Sequence, residues 1–473
     1  MLHPVFQIDE LLRLVVDELV ETRQQAAISF ALTCRSLEEP TLSSLWKHQD
    51  SLTDLLKVLP NHTWVHEDGV EAIGIEQDPS AEDWTRLRRY ASWMRRIDLG
   101  PDRKISRRTF FVLSRNCPGG VLFPKLEWLL WDINEACIIL TFFRLFFSPS
   151  LKRVTSYGHS TVSVIPQDML EDLAQIILSF PASLEDLSFT CVQGYGGFLS
   201  DEMSSFVCRR GSSLRQFSSN VPLSEAAICH LMQLPSLRSW TIVQKPPQTI
   251  PTSIFPPLEQ LHFDKPVALP WLHLLTLHRR GVLRNGSASA TSHTNIRETL
   301  TSITYPCSTI DNSTLPSSVL NFRNLTVLCV ETHCSDAEGC NFHLTDNDTE
   351  NLVTALPRLE KLQLGQGCRS NSCNTTVASL LMASVYCLSL RALDIHFNTR
   401  TIVGDIQRLL GGGFGRDKVK CKLWKLTVGY LPLRVYGEDI ETVATGFKFI
   451  FPHLRDFGDY SGFWYKLRCK IRD

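Results

Sequence analysis

The pattern Leu-x-x-Leu-x-Leu returns along the chain from about Met94 to its end, each time just after a Pro, Ser or Gly stop. Clear copies are Leu126-Glu-Trp-Leu129, Leu184-Glu-Asp-Leu187-Ser-Phe189, Leu258-Glu-Gln-Leu261-His-Phe263, Leu359-Glu-Lys-Leu362-Gln-Leu364 and Leu390-Arg-Ala-Leu393-Asp-Ile395. Alternate residues of a strand point to one side, so this spacing lines a single strand face with apolar groups. One such strand cannot bury its face alone. Repetition at a fixed period stacks the units into a solenoid, and solenoids mostly bind proteins rather than turn over substrates.

Anchors can be read at Met94, Leu126, Leu151, Leu184, Leu214, Leu237, Leu258, Leu300, Leu325, Leu359, Leu390, Leu423 and Leu454. Their spacing, mostly 23 to 34 residues, exceeds the roughly 20–29 of regular leucine-rich repeats. Helices are predicted between them at 168–178, from the Thr345 cap to Pro357, at 375–385 and at 439–449. Strand followed by helix, repeatedly, predicts an α/β fold: an irregular leucine-rich-repeat solenoid over 94–473 with a parallel sheet on its concave side. The long gap after Leu258 holds Asn285-Gly-Ser-Ala-Ser-Ala-Thr-Ser-His-Thr-Asn295, and 284–295 is predicted to be a flexible loop.

Hydrophobic residues make up 43% and charged residues 21%, as in folded soluble proteins. The net charge of −1 steers the chain toward neither nucleic acid nor membrane. Acidic residues interrupt every apolar run near the N-terminus, so no signal peptide is expected. The longest apolar stretch, Ala136 to Phe147, is broken by Arg144 and reads as buried core. Fifteen cysteines, an odd number in a long chain, fit small buried side chains in a reducing compartment. A cytoplasmic or nuclear protein is expected.

The first fifty residues are different. Ile8, Leu11, Leu12, Val15, Val16, Leu19 and Val20 form one apolar stripe on a helix opening near Asp9, a candidate N-cap. A second helix fits Gln25 to Cys34, and a third is predicted to start at Pro40 and to carry Leu42, Leu45 and Trp46. Three helices of this size make a marginal domain, so a partner or the neighbouring solenoid should cover part of the apolar surface.

Ile8-Asp-Glu-Leu11-Leu12-x-x-Val15, then Leu32-Thr-Cys34-Arg35, then Leu45-Trp46, resemble an F-box, in the style common among mushroom-forming fungi. The family opens on Leu-Pro where this chain has Ile8-Asp9. The resemblance implies a trihelix over 1–50 that docks on a Skp-type adaptor, joined through it to a cullin scaffold in an SCF-type ubiquitin ligase. It implies Ile8, Leu11, Leu12, Leu32, Arg35, Leu45 and Trp46 as the adaptor-binding residues. The solenoid would then hold an unknown target protein. The alternative is a leucine-rich scaffold in which the trihelix only caps the first repeat.

Residues 51–93 lack the repeat and read as a helical linker, with helices at 53–59 and 84–94. Between Arg86 and Arg108 nine bases face only Asp98 and Asp102, which reads as a solvated face or as a partner of the acidic first fifty residues. On the strands, Trp128, Leu130 and Asp132 are the candidates for holding a target, because aromatics are favoured interface anchors. No catalytic motif, cofactor or metal site is predicted. Gly411-Gly-Gly-Phe-Gly415 lacks the Gly-Lys-Ser/Thr of a phosphate loop, and Cys329, Cys334, Cys340 and His343 match no common zinc spacing. The chain is not expected to be an enzyme.

Overall fold

In a computed structural model of the chain, all thirteen anchors are buried, from Met94 at 0% exposed to Leu454 at 7%. Each stands two residues ahead of a strand. The structure describes residues 8–60, 63–67, 72–75, 78–99, 105, 107–117, 120–132, 140–157, 167–191, 195–244, 258–263, 300–306, 319–331, 344–366, 375–395, 401–412, 421–428, 439–459, 467 and 470. Two compact units divide the chain, Met1–Leu231 and Met232–Asp473.

The first unit opens with α1 (Asp9–Thr22), α2 (Gln24–Ala31) and α3 (Arg35–Leu45), then β1 (His48–Gln49) and α4 (Thr53–Leu56). A hairpin, β2 (Trp64–Glu67) and β3 (Ala72–Ile75), precedes α5 (Ala81–Ala91), β4 (Arg96–Asp98) and α6 (Arg107–Asn116). The repeats continue through β5 (Trp128–Asp132), β6 (Arg153–Tyr157), α7 (Gln167–Ser179), β7 (Asp186–Phe189), α8 (Ser200–Arg210), β8 (Gln216–Ser219) and α9 (Glu225–Leu231). Strands β1-β4-β5-β6-β7-β8 pair in that order, all parallel.

The second unit carries β9 (Ser239–Ile242), β10 (Gln260–Phe263), β11 (Ser302–Pro306), β12 (Val327–Glu331), α10 (Asp346–Ala355), β13 (Lys361–Gln366) and α11 (Val377–Tyr386). It ends with β14 (Ala392–Ile395), α12 (Ile402–Gly411), β15 (Lys425–Val428), α13 (Asp439–Ile450) and β16 (Asp456–Asp459). Its strands also pair in sequence order and in parallel. Strands β10 and β11 are direct neighbours, so the sheet continues across the long gap after Leu258. The predicted loop at 284–295 lies outside the described residues. Both units have the α/β, parallel-sheet architecture that the leucine spacing predicts.

The register explains why the motif works. Leu261, Ile303, Leu328, Leu362, Leu393 and Leu426 are cross-strand partners in one row, and each is at most 2% exposed. One residue before most of these strands, a carbonyl accepts two backbone N–H groups from the next repeat. Arg95 O takes Glu127 and Trp128, Glu127 O takes Lys152 and Arg153, and Thr326 O takes Glu360 and Lys361. Behind the sheet, helices stack on their successors: α7 on α8, α8 on α9, α10 on α11, and α12 on α13. At that last contact Gly446 faces Ile406 so closely that a Cβ would overlap the Ile406 side chain. The first unit is filled by aromatics, with Trp131 against Phe143 at 3.9 Å and Phe147 linking Phe143 to Phe180. The apolar run ending at Phe147 thus supplies core, as Phe142, Phe143, Leu145 and Phe146 are buried.

Several local expectations need correction. Helix α1 is preceded by Ile8 with no side-chain cap, so Asp9 is the first helical residue rather than the cap. There its carboxylate still favours the positive end of the helix. Helix α2 ends at Ala31, short of Cys34. Helix α3 starts at Arg35, which places Pro40 in its interior rather than in its first turn. A proline there has no N–H to give the Ser36 carbonyl, and burial of Leu37 and Thr41 on either side holds the helix despite that. The 51–93 segment contains the β2–β3 hairpin besides helices α4 and α5. Helix α5 starts at Ala81 because Ser80 and Asp83 form a reciprocal capping box ahead of Trp84.

One repeat was hidden. Strand β1 pairs with β4 through His48↔Arg96 and Gln49↔Ile97, and the Lys47 carbonyl accepts from Arg95 and Arg96. Trp46 therefore holds the anchor position of a first repeat, two residues before β1. The trihelix runs straight into the sheet.

Candidate functional site

Helix α1 carries apolar side chains round far more of its circumference than one packed stripe requires. At 3.6 residues per turn, the order round the helix is Leu14, Leu11, Val15, Ile8, Leu19, Leu12, Val16, Val20, an arc of about 240°. Only one edge is covered. Leu12 (4% exposed) and Val16 (1%) pack with Leu37, and Val20, Phe30 and Cys34 close round them. The other edge stands open: Leu14 is 66% exposed, Ile8 48%, Leu11 39% and Val15 37%. Helix α2 adds Ile28 at 41%, and Leu32 just after it reaches 82%.

The seven residues singled out by the sequence motif separate accordingly. Ile8, Leu11, Leu32 and Arg35 are exposed. Leu12 is core. Leu45 and Trp46 are half-buried, and Trp46 packs on Tyr90 of α5 with ring centroids 4.9 Å apart. Trp46 thereby joins the trihelix to the array. Leu14 and Ile28, which the motif does not name, are exposed as well. Leu14 falls outside the helical stripe read from the sequence, and that offset was itself the signal, because a leucine there has no internal partner.

A second surface lies on the exposed face of the first unit's sheet. The register His48↔Arg96↔Trp128↔Arg153↔Asp186 makes one row across it. The Arg96 guanidinium lies 4.3 Å from the centroid of the Trp128 ring and Arg153 lies 5.7 Å from it. The Trp128 indole N–H donates to Thr155 at 3.4 Å, and Arg153 pairs with Asp186 at 2.8 Å. Trp128 and Leu130 are half-buried. The backbone of Asp132 ends β5, while its side chain lies outside what the structure describes. Burial, then Lys47 and Arg96, push the His48 imidazole below its ordinary pKa.

The basic run is distributed over several elements. Arg88 and Arg89 are exposed on α5 and stack over Trp84 and Trp93 at 6.0 and 5.2 Å. Arg95 pairs with Glu127 at 3.0 Å. The Lys47–Asp17 pair at 3.8 Å lies within the first fifty residues and involves no base of this run.

In the second unit, Asp394 is 5% exposed on β14, and its Oδ1 lacks a partner among the described residues. Burial pushes its carboxyl up to about 6, against a hydrogen bond from Gln363 and the charges of Lys361 and Lys425. Gln363 in turn accepts from the Cys329 thiol at 2.9 Å. Cys334, Cys340 and His343 lie outside the described residues, as do Gly413 to Gly415. Among the described residues no cluster of three His, Cys, Asp or Glu could hold a metal ion, and no helix is long and apolar enough to cross a membrane. A cleft of about 710 Å³ in the first unit is lined by Arg108, Phe111, Phe142, Arg144 and Leu145 among others.

No family model and no curated protein matches the chain. Among solved structures, it aligns with a chain of the crystal structure of the Rad7 and Elc1 complex in yeast. The alignment covers 96% of this chain and 89% of the other, at 12% identity and a TM-score of 0.34. A likeness that low bears on neither activity nor partner.

Proposed function

We propose that this chain is the substrate-recognition subunit of an SCF-type ubiquitin ligase. The trihelix docks on a Skp-type adaptor, and through it a cullin scaffold, while the repeat array holds a target protein. The chain does no covalent chemistry of its own. It acts in the cytoplasm or nucleus by holding the target's lysines at high effective concentration near a ubiquitin-loaded enzyme. The observation that carries this reading is the open edge of α1 and α2. Ile8, Leu11 and Val15 at i, i+3 and i+7 are the spacing with which a helix enters a partner's groove. They lie on the segment whose sequence resembles an F-box.

One observation favours the alternative, a scaffold protein with no ligase role. Strand β1 belongs to the sheet, so the trihelix also seals the first repeat, as a cap would. A pull-down of purified Skp-type adaptor by the full-length chain separates the two. The decisive variant is Leu11→Asp/Leu32→Asp, because both side chains are exposed and the fold should tolerate charge there. Binding by the parent and loss in the folded variant supports the ligase reading. A folded parent that does not bind leaves the scaffold.

A further inference from the structure

Along the exposed face of the first unit's sheet most charges are neutralised in place. Arg153 pairs with Asp186, while in the flanking column Arg95 pairs with Glu127 and Arg215 with Glu185 at 3.3 Å. Arg96 differs. Among the described residues it has no ion pair and no side-chain hydrogen bond, and its Nε is fully shielded from solvent without an acceptor. A guanidinium carries five N–H donors, and a half-buried cation normally claims an acceptor. This one is instead held against the face of Trp128, an arrangement that fixes the plane of the fork while leaving its donors unused. Beside it, Leu130 offers a half-buried apolar surface.

We propose that Arg96, positioned by Trp128, receives a carboxylate from an extended segment of the target protein, with Leu130 taking the adjoining apolar side chain. This deepens the target-holding half of the proposed function and stands apart from the adaptor half. The charge count selects the occupant. A nucleic-acid backbone would need a track of open cations, whereas here Arg96 stands among ion pairs, beside an imidazole whose neutral form is favoured. Lys152, the other cation of these columns with no ion pair among the described residues, lies between Glu127 and Glu185. That suits an isolated acidic side chain next to an apolar one.

The test uses the full-length chain and a labelled peptide of alternating Glu and Leu flanked by Gly, followed by fluorescence anisotropy. Controls are the same peptide with Gln for Glu, and a single-stranded RNA oligonucleotide. Saturable binding of the Glu-Leu peptide is expected, weakened about tenfold or more by Arg96→Gln. The Gln-Leu peptide should lose a similar factor on the parent protein, a comparison that holds even if Arg96→Gln fails to fold. Arg209→Gln on α8 should change nothing. The proposal is overturned by absence of peptide binding, by equal binding of the Gln-Leu peptide, by a folded Arg96→Gln that binds like the parent, or by tighter binding of RNA. Adaptor pull-down by Arg96→Gln should be intact. Peptide binding without adaptor binding would sink the ligase reading and leave this site standing.

Discussion

Leu126 and Leu32 carry the same side chain and end at opposite extremes, 0% and 82% exposed. Leu126 belongs to the repeat array, where it has a neighbouring repeat on either side to cover it. Leu32 belongs to a trihelix with too little mass to cover both sides of its own helices. Burial of a leucine is worth roughly 1.5–3 kcal/mol, so the array's leucines contribute stability on their own. Those on the open edge of α1 and α2 contribute only when something else arrives. Apolarity by itself does not separate core from contact; the number of layers around a residue does.

The sharpest way to exploit that difference is at the array's interior. Leu362→Ala, in the middle of the row of cross-strand leucines, should lower unfolding free energy by about 2–5 kcal/mol, read from the urea midpoint. A much smaller loss would mean that the array is not packed as its register implies.

A second prediction concerns the polar group the array hides. The folded-state pKa of Asp394 is raised to about 6 from an unfolded 3.8. The folded state therefore binds its proton more tightly. The associated stability is fully present below about pH 3.8 and is lost as pH rises through about 6. The size is on the order of 3 kcal/mol. Asp394→Asn should remove this component, flattening the dependence of Tm on pH across that window. An unchanged profile would show that the carboxyl is solvated in solution.

Gly446→Ala comes next. The added methyl would overlap Ile406 at the α12–α13 contact, and overpacking of this kind costs about 1–3 kcal/mol. Thermal unfolding of the variant is the measurement. The smallest effect completes the contrast. Leu32→Ala should shift stability by no more than about 0.5 kcal/mol and yet weaken adaptor capture in a pull-down. If it destabilised the chain as a core substitution does, the open edge would be covered from within and the distinction would fail.

The array was legible because its information is local and periodic. Each anchor predicts a strand two residues later, and all thirteen strands start there. Trp46 escaped because its repeat is reduced to a two-residue strand with a tryptophan in place of leucine, inside a segment that also reads as helical. The β2–β3 hairpin escaped because no leucine spacing announces it. On the trihelix, the motif mixes core with surface. Leu12 and Leu11 are adjacent in sequence and 100° apart on the helix, and only the position of α3 decides which is covered. Arg96 lay within a basic run and looked like its neighbours. Its distinction is the absence of an acid opposite, which depends on the register of β4 against β5.

The short strand β1 has a mechanical meaning. Ordinarily a recruiting head and a gripping body would be joined by a tether, and the tether's wandering would blur which surfaces of the cargo come within reach. Here the last turn of the head passes directly into the first rung of the body, and the Lys47 carbonyl is hydrogen-bonded to the rung above. The joint has no slack. On the proposed function, the aim of the complex is then built into the chain like the stock of a rifle. Inserting a few glycines after Trp46 would scatter modification over many target lysines where the unaltered chain favours a few.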